Sequence, residues 1–241
     1  MTPDALSIVV PIRNEVGSVD EFYRRVEALG LADCLIFVDN ASTDGTLARL
    51  AALPRGQVIR HATNEGWGAS VRDGIAASRS TSIVLIDGDL EYPPEAIPRL
   101  LAALERHPVV YGSRFCGPRP PEMPLARRLG NAVMSRFYNL LYGQRTTDFA
   151  TGMKGMRREA APWQRLRLNG WEHGAEIAVL VAFAGNRIGE IAVDYSPRQS
   201  GRSKMRHVRE AVKVIGYLLW FRVHGAAAML GEEKTATDKH R

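Results

Sequence analysis

The chain has 241 residues, 45% hydrophobic and 24% charged, which suits one large soluble domain with a sizeable core and excludes a disordered or fibrous class. Two cysteines, Cys34 and Cys116, exclude a disulfide scaffold and match no metal-type spacing. The formal charge of +6 falls wholly in residues 196–241, where ten Lys/Arg meet four Asp/Glu, so the basicity is a local patch for phosphates, an anionic membrane or nucleic acid.

The opening M-T-P-D-A-L lacks the basic and apolar regions of a signal peptide, and the expected setting is reducing and cytoplasmic. Leu6 to Ile12, Leu35 to Asp39, Gln57 to Arg60, Ile83 to Asp87 and Val109 to Gly112 read as short strands. The first, second and fourth are nearly all apolar, as strands covered by helices on both faces are. Helical periodicity fills the intervals Val19 to Leu29, Thr43 to Leu53, Ala69 to Ser78 and Glu95 to Arg106. This alternation predicts an α/β domain with a mostly parallel, Rossmann-like sheet flanked by helices, and ligands at the strands' carboxyl ends.

Those ends are polar throughout: Arg13-Asn14-Glu15, then 39–46, then Asn64-Glu65-Gly66-Trp67-Gly68, then Ser113-Arg114-Phe115. Each alone is ordinary turn or cap chemistry; together, on one sheet edge, they point to a nucleotide site. No G-x-G-x-x-G or Walker-type loop follows a strand, which speaks against the dinucleotide and P-loop folds. The fourth strand delivers Asp87 and Asp89 with only Gly88 between them. Two carboxylates at a buried strand end need partners, and a hard divalent cation shared with a diphosphate would serve, as would a cap and a solvated turn. Leu125 to Tyr142 is amphipathic and opens on Arg127 and Arg128. Residues 207–230 form an amphipathic C-terminal helix with Tyr217, Trp220 and Phe221 beside Arg209 and Lys213. Its longest apolar run, Val214 to Phe221, is far short of the about 20 residues that span a bilayer, so it lies at a membrane interface or packs on the sheet. The tail 231–241 is polar and expected to be disordered.

The stretches V-V-P-I-R-N-E (9–15), V-D-N-A-S-T-D-G-T (38–46), N-E-G-W-G-A-S-V-R-D-G-I (64–75) and D-G-D-L-E-Y-P-P-E (87–95) resemble family 2 glycosyltransferases of the GT-A fold. Y-G-S-R-F (111–115), D-F-A-T-G-M-K-G-M-R-R-E (148–159) and S-G-R-S-K-M (200–205) are similar to the dolichyl-phosphate, or polyprenyl-phosphate, hexosyltransferase branch. The resemblance spans roughly residues 6–206 and implies a catalytic domain over residues 1–206.

It implies a nucleotide-sugar donor, GDP-mannose or a UDP-hexose with mannose favoured, bound by Pro11, Arg13, Glu15, Asp39 and Asp87, with Arg202 and Lys204 closing over the diphosphate. It implies Mg²⁺ or Mn²⁺ on Asp87, Asp89 and Glu91. Arg114, Arg127, Arg128 and Asn131 match positions that hold an acceptor phosphate, and Asp89, Asp148 and Glu176 fall at the reacting centre. Asn40 stands where the family carries a second acid, so a second carboxylate's role is lost. The implied reaction is inverting transfer to polyprenyl phosphate by a peripheral protein on the cytoplasmic membrane face. Such an acceptor is already an oxyanion and needs positioning more than a general base. A soluble carbohydrate acceptor and a non-catalytic GT-A-like subunit are the alternatives; no nucleic-acid motif accompanies the basic patch.

Overall fold

The computed structural model describes residues 2, 4–117, 123–197 and 207–230, of which 207–209 and 226–230 are described by their backbone alone. Strands β1 (Leu6–Ile12), β2 (Leu35–Asp39) and β3 (Gln57–Arg60) form where the apolar runs predict them. Strand β4 (Ser82–Leu85) starts and ends earlier than expected, and β5 (Val109–Ser113) runs one residue longer. Two further strands, β6 (Lys154–Arg157) and β7 (Ile188–Ala192), carry too little apolar pattern to stand out in the sequence. The seven-stranded order is β3-β2-β1-β4-β6-β5-β7, parallel except for β6, which runs antiparallel to both neighbours.

Helices α1 (Val19–Ala28), α2 (Thr46–Ala51) and α4 (Ile97–Ala103) cover one face, with Phe22, Val26, Leu50, Ile97 and Leu100 in its core. The other face is covered by α3 (Trp67–Ala77), α5 (Leu125–Tyr142), α6 (His173–Phe183) and α7 (His207–Leu230). Val9 points to this second core while Ile8 and Val10 point to the first, the period-two alternation of a strand buried on both sides.

Local chemistry explains where the helices depart from the periodicity. Thr43 gives its backbone N–H to Asn14 Oδ1 at 2.7 Å, and Thr46 gives its own to Asp44 Oδ1 at 3.0 Å. These side-chain bonds hold 43–45 outside the helix, so α2 starts at Thr46. The stretch after Pro93 forms a single 3-10 turn, Pro94–Ala96, before α4.

The chain turns back between β1 and β4, so their carboxyl ends flank the switch point of the sheet, the usual ligand crevice of an open α/β fold. Ile12 pairs in register with Asp39, and Leu85 with Lys154. Residues 13–15, 39–40, 87–91 and 154 therefore gather on one rim. Helix α7 does pack on the domain, burying Leu218 and Phe221, yet it leaves Val212, Leu219, Trp220 and Val223 exposed. The helix therefore packs on the domain with one face and leaves an apolar strip of another open. The tail 231–241 lies outside the described residues.

Candidate active site

A cavity of about 940 Å³ opens over this rim. Its nucleoside-side wall includes Pro11, Arg13, Glu15 and Asn40. Interlocking loops build it: Asn14 donates its N–H to Ser42 Oγ and Glu15 to Thr46 Oγ1, each at 2.9 Å. Asn14 and Ala41 adopt left-handed backbone, with φ of 54° and 55°. Asp39 is fully buried beneath this wall rather than on it; its Oδ2 accepts the Ser42 N–H at 3.3 Å. Its Oδ1 has no partner among the described residues and keeps capacity for one more N–H.

Asn40 has a role that the sequence did not reveal. Its Oδ1 accepts the Glu65 N–H at 2.9 Å, and its Nδ2 donates to Asn64 Oδ1 at 2.9 Å. His61 Nδ1 approaches the same Oδ1 at 3.2 Å while Nε2 meets Asp73 at 3.0 Å. The amide thus ties β2 to the loop leading into α3, and a carboxylate could not make the donated bond. Gly66 completes this loop at φ 98°, where a Cβ would lie 2.2 Å from the Asn169 carbonyl oxygen.

Asp87, Asp89 and Glu91 all line the cavity. Leu90 sits at φ 64°, and that kink lets Asp89 Oδ1 accept the Glu91 N–H at 3.0 Å. Gly152 allows the closest approach: a Cβ there would lie 2.3 Å from Asp87 Oδ2. Three carboxylates on one wall are the hard oxygen donors that Mg²⁺ or Mn²⁺ takes, so the residues fit a divalent cation completed by water and diphosphate. They do not close into a cage on their own. Among the described residues, the three acidic or imidazole groups with ligand atoms within 4.8 Å of one another are His61, Glu65 and Asp73.

Lys154, at the start of β6, is a cavity residue that sequence reasoning missed, although it stands inside the quoted 148–159 motif. Its ammonium donates to the Thr151 carbonyl. Burial pushes its pKa down to about 8, against the pull of the Asp87 and Asp148 carboxylates.

Arg114 also lines the cavity, as do Arg127 and Asn131. The Arg114 guanidinium is bound twice by Asp148 and lies 5.5–5.7 Å from the ring centres of Tyr92, Phe115 and Tyr195. Burial alone would lower its pKa, but the neighbouring Tyr92 and Asp148 groups raise it, so the charge is permanent. Asp148 is fully buried behind the cavity wall, where it holds the cavity residue Arg114. Asn131 spends its amide on the backbone, donating to Thr147 O at 3.0 Å and accepting from Ala150 N at 3.3 Å. Through these two bonds it ties α5 to the 147–150 segment of the wall.

Two expected residues are placed elsewhere. Arg128, half-buried on α5 one residue after Arg127, is not among the residues that line the cavity. Glu176, on α6, accepts the backbone N–H groups of Arg167 at 2.8 Å and Leu168 at 3.0 Å. It borders a separate cavity of about 540 Å³ between residues 165–168 and α7. Burial raises its pKa, those two N–H bonds opposing the rise. Arg202 and Lys204 lie outside the described residues.

The profile described as glycosyl transferase family 2 matches residues 7–162. An undecaprenyl-phosphate mannosyltransferase of Micrococcus luteus is 30% identical over 92% of this chain and 98% of its own. Glycosyltransferase AglJ of Haloferax volcanii is 29% identical over 83% of this chain, which spans 66% of that relative's length. An undecaprenyl-phosphate 4-deoxy-4-formamido-L-arabinose transferase of Salmonella paratyphi B is 29% identical over 85% of this chain and 63% of its own. Among solved structures, mannosyl-3-phosphoglycerate synthase of Rubrobacter xylanophilus superposes with TM-score 0.69 at 18% identity, covering 96% of this chain and 78% of that one. Glucosyl-3-phosphoglycerate synthase of Mycobacterium tuberculosis, in complex with Mn²⁺, UDP and glucosyl-3-phosphoglycerate, gives 0.66 at 19% identity over 91% and 80%. These likenesses show the GT-A fold. With the profile over most of the domain and a relative matched along nearly its whole length, the chain is a glycosyltransferase that belongs to glycosyl transferase family 2.

Proposed function

We propose that the protein transfers a hexose, with mannose favoured, from a nucleotide sugar to a polyprenyl phosphate with inversion, at the cytoplasmic face of a membrane. The observation that carries this reading is the presence, on one cavity, of an acidic wall at Asp87, Asp89 and Glu91 and a cationic one at Arg114 and Arg127. The acidic wall suits the donor diphosphate through a divalent cation; the cationic wall suits an acceptor that is itself a phosphate. Two relatives carry undecaprenyl phosphate in their names, one of them with mannose.

In this reading Pro11, Arg13, Glu15 and Asn40 bound the nucleoside, and Asp39 supports it from below. A bound Mg²⁺ or Mn²⁺ on Asp87 and Asp89, with Glu91 beside them, would offset the charge that develops on the departing diphosphate. Arg114, fixed by Asp148, holds the acceptor phosphate so that an oxygen attacks the anomeric carbon. The new C–O bond forms as the bond to the diphosphate breaks, and the nucleoside diphosphate leaves. A phosphate oxyanion needs no proton removed, which agrees with Glu176 being committed to backbone N–H groups.

Membrane contact draws support from the surface. The exposed large hydrophobic residues include Leu125, Leu129, Val133 and Leu140 on α5 and Val212, Leu219, Trp220 and Val223 on α7. No helix described is long and apolar enough to cross a membrane, so contact would be interfacial.

The test is a donor panel of GDP-mannose, UDP-glucose and UDP-GlcNAc with polyprenyl phosphate and Mg²⁺ or Mn²⁺. Labelled sugar should move into organic solvent with the lipid. Label that stays in water, on an added carbohydrate, would refute the lipid acceptor and favour a soluble one.

A further inference from the structure

One stretch of the cavity wall has no part in the chemistry assigned above. Trp67, at the start of α3, stacks on His173, at the start of α6, with ring centroids 4.8 Å apart and an interplanar angle of 29°. Trp171 lies 5.6 Å from Trp67, and all three residues line the cavity. The site is tightly built: a Cβ at Gly68 would lie 2.7 Å from the His173 Cβ.

The tautomer of His173 follows from its neighbour. Nδ1 lies 3.0 Å from the Gly170 carbonyl oxygen, which can only accept, so Nδ1 carries the proton and Nε2 is left with a lone pair. His173 is 5% exposed, and among the described residues Nε2 meets no hydrogen-bonding partner. Burial, and then the charge of Lys154, push the imidazole pKa down to about 3, so the ring is neutral at working pH. A buried acceptor with no donor is costly, and such groups in folded proteins call for a reason.

We propose that His173 Nε2 accepts a hydrogen bond from a hydroxyl of the transferred hexose, with Trp67 and Trp171 as the apolar surface beside the sugar, which makes His173 a specificity-determining residue. The inference rests on the reading of the protein as a nucleotide-sugar-dependent transferase. Chemistry selects the hydroxyl. An ionised phosphate offers acceptors, which a lone pair repels, whereas a pyranose presents O–H donors and apolar C–H faces that suit aromatic rings. Position agrees: His173, Lys154 and Asp87 line the same cavity, so this subsite shares its space with the diphosphate end.

Calorimetry of the full chain with GDP-mannose against GDP, and UDP-glucose against UDP, in the presence of Mg²⁺ tests this. His173→Phe should weaken binding of the preferred nucleotide sugar about tenfold while leaving the matching nucleoside diphosphate unchanged. His173→Gln, whose amide oxygen can accept, should recover part of the loss. Equal loss of both ligands would assign His173 to the base or to folding, and no loss of either would remove it from recognition; both results overturn the proposal while leaving the transferase reading standing. A wild type that binds no nucleotide sugar at all overturns that reading, and this inference with it. Imidazole ¹⁵N NMR of the wild type needs no variant: the His173 Nε2 resonance should shift with the nucleotide sugar and not with the diphosphate, and an unmoved resonance overturns the assignment.

Discussion

Asp148 holds Arg114 by three bonds: its carboxylate accepts the Arg114 backbone N–H at 3.0 Å, Nε–H at 2.7 Å and Nη2–H at 2.8 Å. Both groups are largely shut from water, at 0% and 13% side-chain exposure. A buried pair of this kind gives fixed geometry more than net stability. Its position at the end of β5 makes that geometry part of the cavity.

Arg114→Lys removes the planar fork while keeping the charge, and is expected to lower kcat/KM for the polyprenyl phosphate by about a hundredfold. Asp148→Asn should do comparable damage, and the double variant should be no worse than about either single one, because the two side chains act as one unit. Steady-state kinetics at varied acceptor concentration check this. Additive losses would show that Asp148 acts independently of Arg114.

Asp89→Ala is expected to abolish transfer while circular dichroism and the thermal midpoint stay close to wild type. Chelation of divalent ions from the wild type should have the same effect, reversed by adding Mg²⁺ or Mn²⁺. A pure Asp89→Ala protein that still turns over would remove the cation from these carboxylates.

Glu176→Gln separates the positional expectation from the observed bonding. One of the two backbone N–H groups keeps an acceptor and the other loses it, so stability should fall by about 1–3 kcal/mol in denaturant titration. Turnover per folded molecule should remain within about threefold of wild type. A collapse of kcat in a fully folded variant would place Glu176 at the reacting centre after all.

His173 predicts a pH dependence of stability. Its folded pKa of about 3 lies below the ordinary 6.5, so the unfolded chain binds the extra proton between those values. Stability from this group is therefore complete above about pH 6.5 and is lost as the pH falls toward 3, by a few kcal/mol at most. Urea midpoints of the wild type and His173→Phe, measured from pH 7 to pH 4, should show a shallower acid loss in the variant.

The sequence by itself determined the repeat of strands and helices, the family motifs and the acidic rim. Continuous apolar runs such as Leu6–Ile12 and Leu35–Asp39 announce buried strands, and strand-end polarity announces ligands, because both signals are local in the chain. Tertiary structure alone decided what is made of distant parts. β6 enters antiparallel between β4 and β5 and so carries Lys154 to the side of Asp87, a placement no local pattern encodes. Asn40 is legible as a departure from an acidic motif, but its bonds to Glu65, Asn64 and His61 exist only once β2 and β3 lie side by side. Glu176 shows the converse: a carboxylate at a motif position is claimed by N–H groups that folding leaves in need of an acceptor. Residue type fixes which hydrogen bonds and charges a side chain can offer; only the packed chain fixes which neighbour takes them.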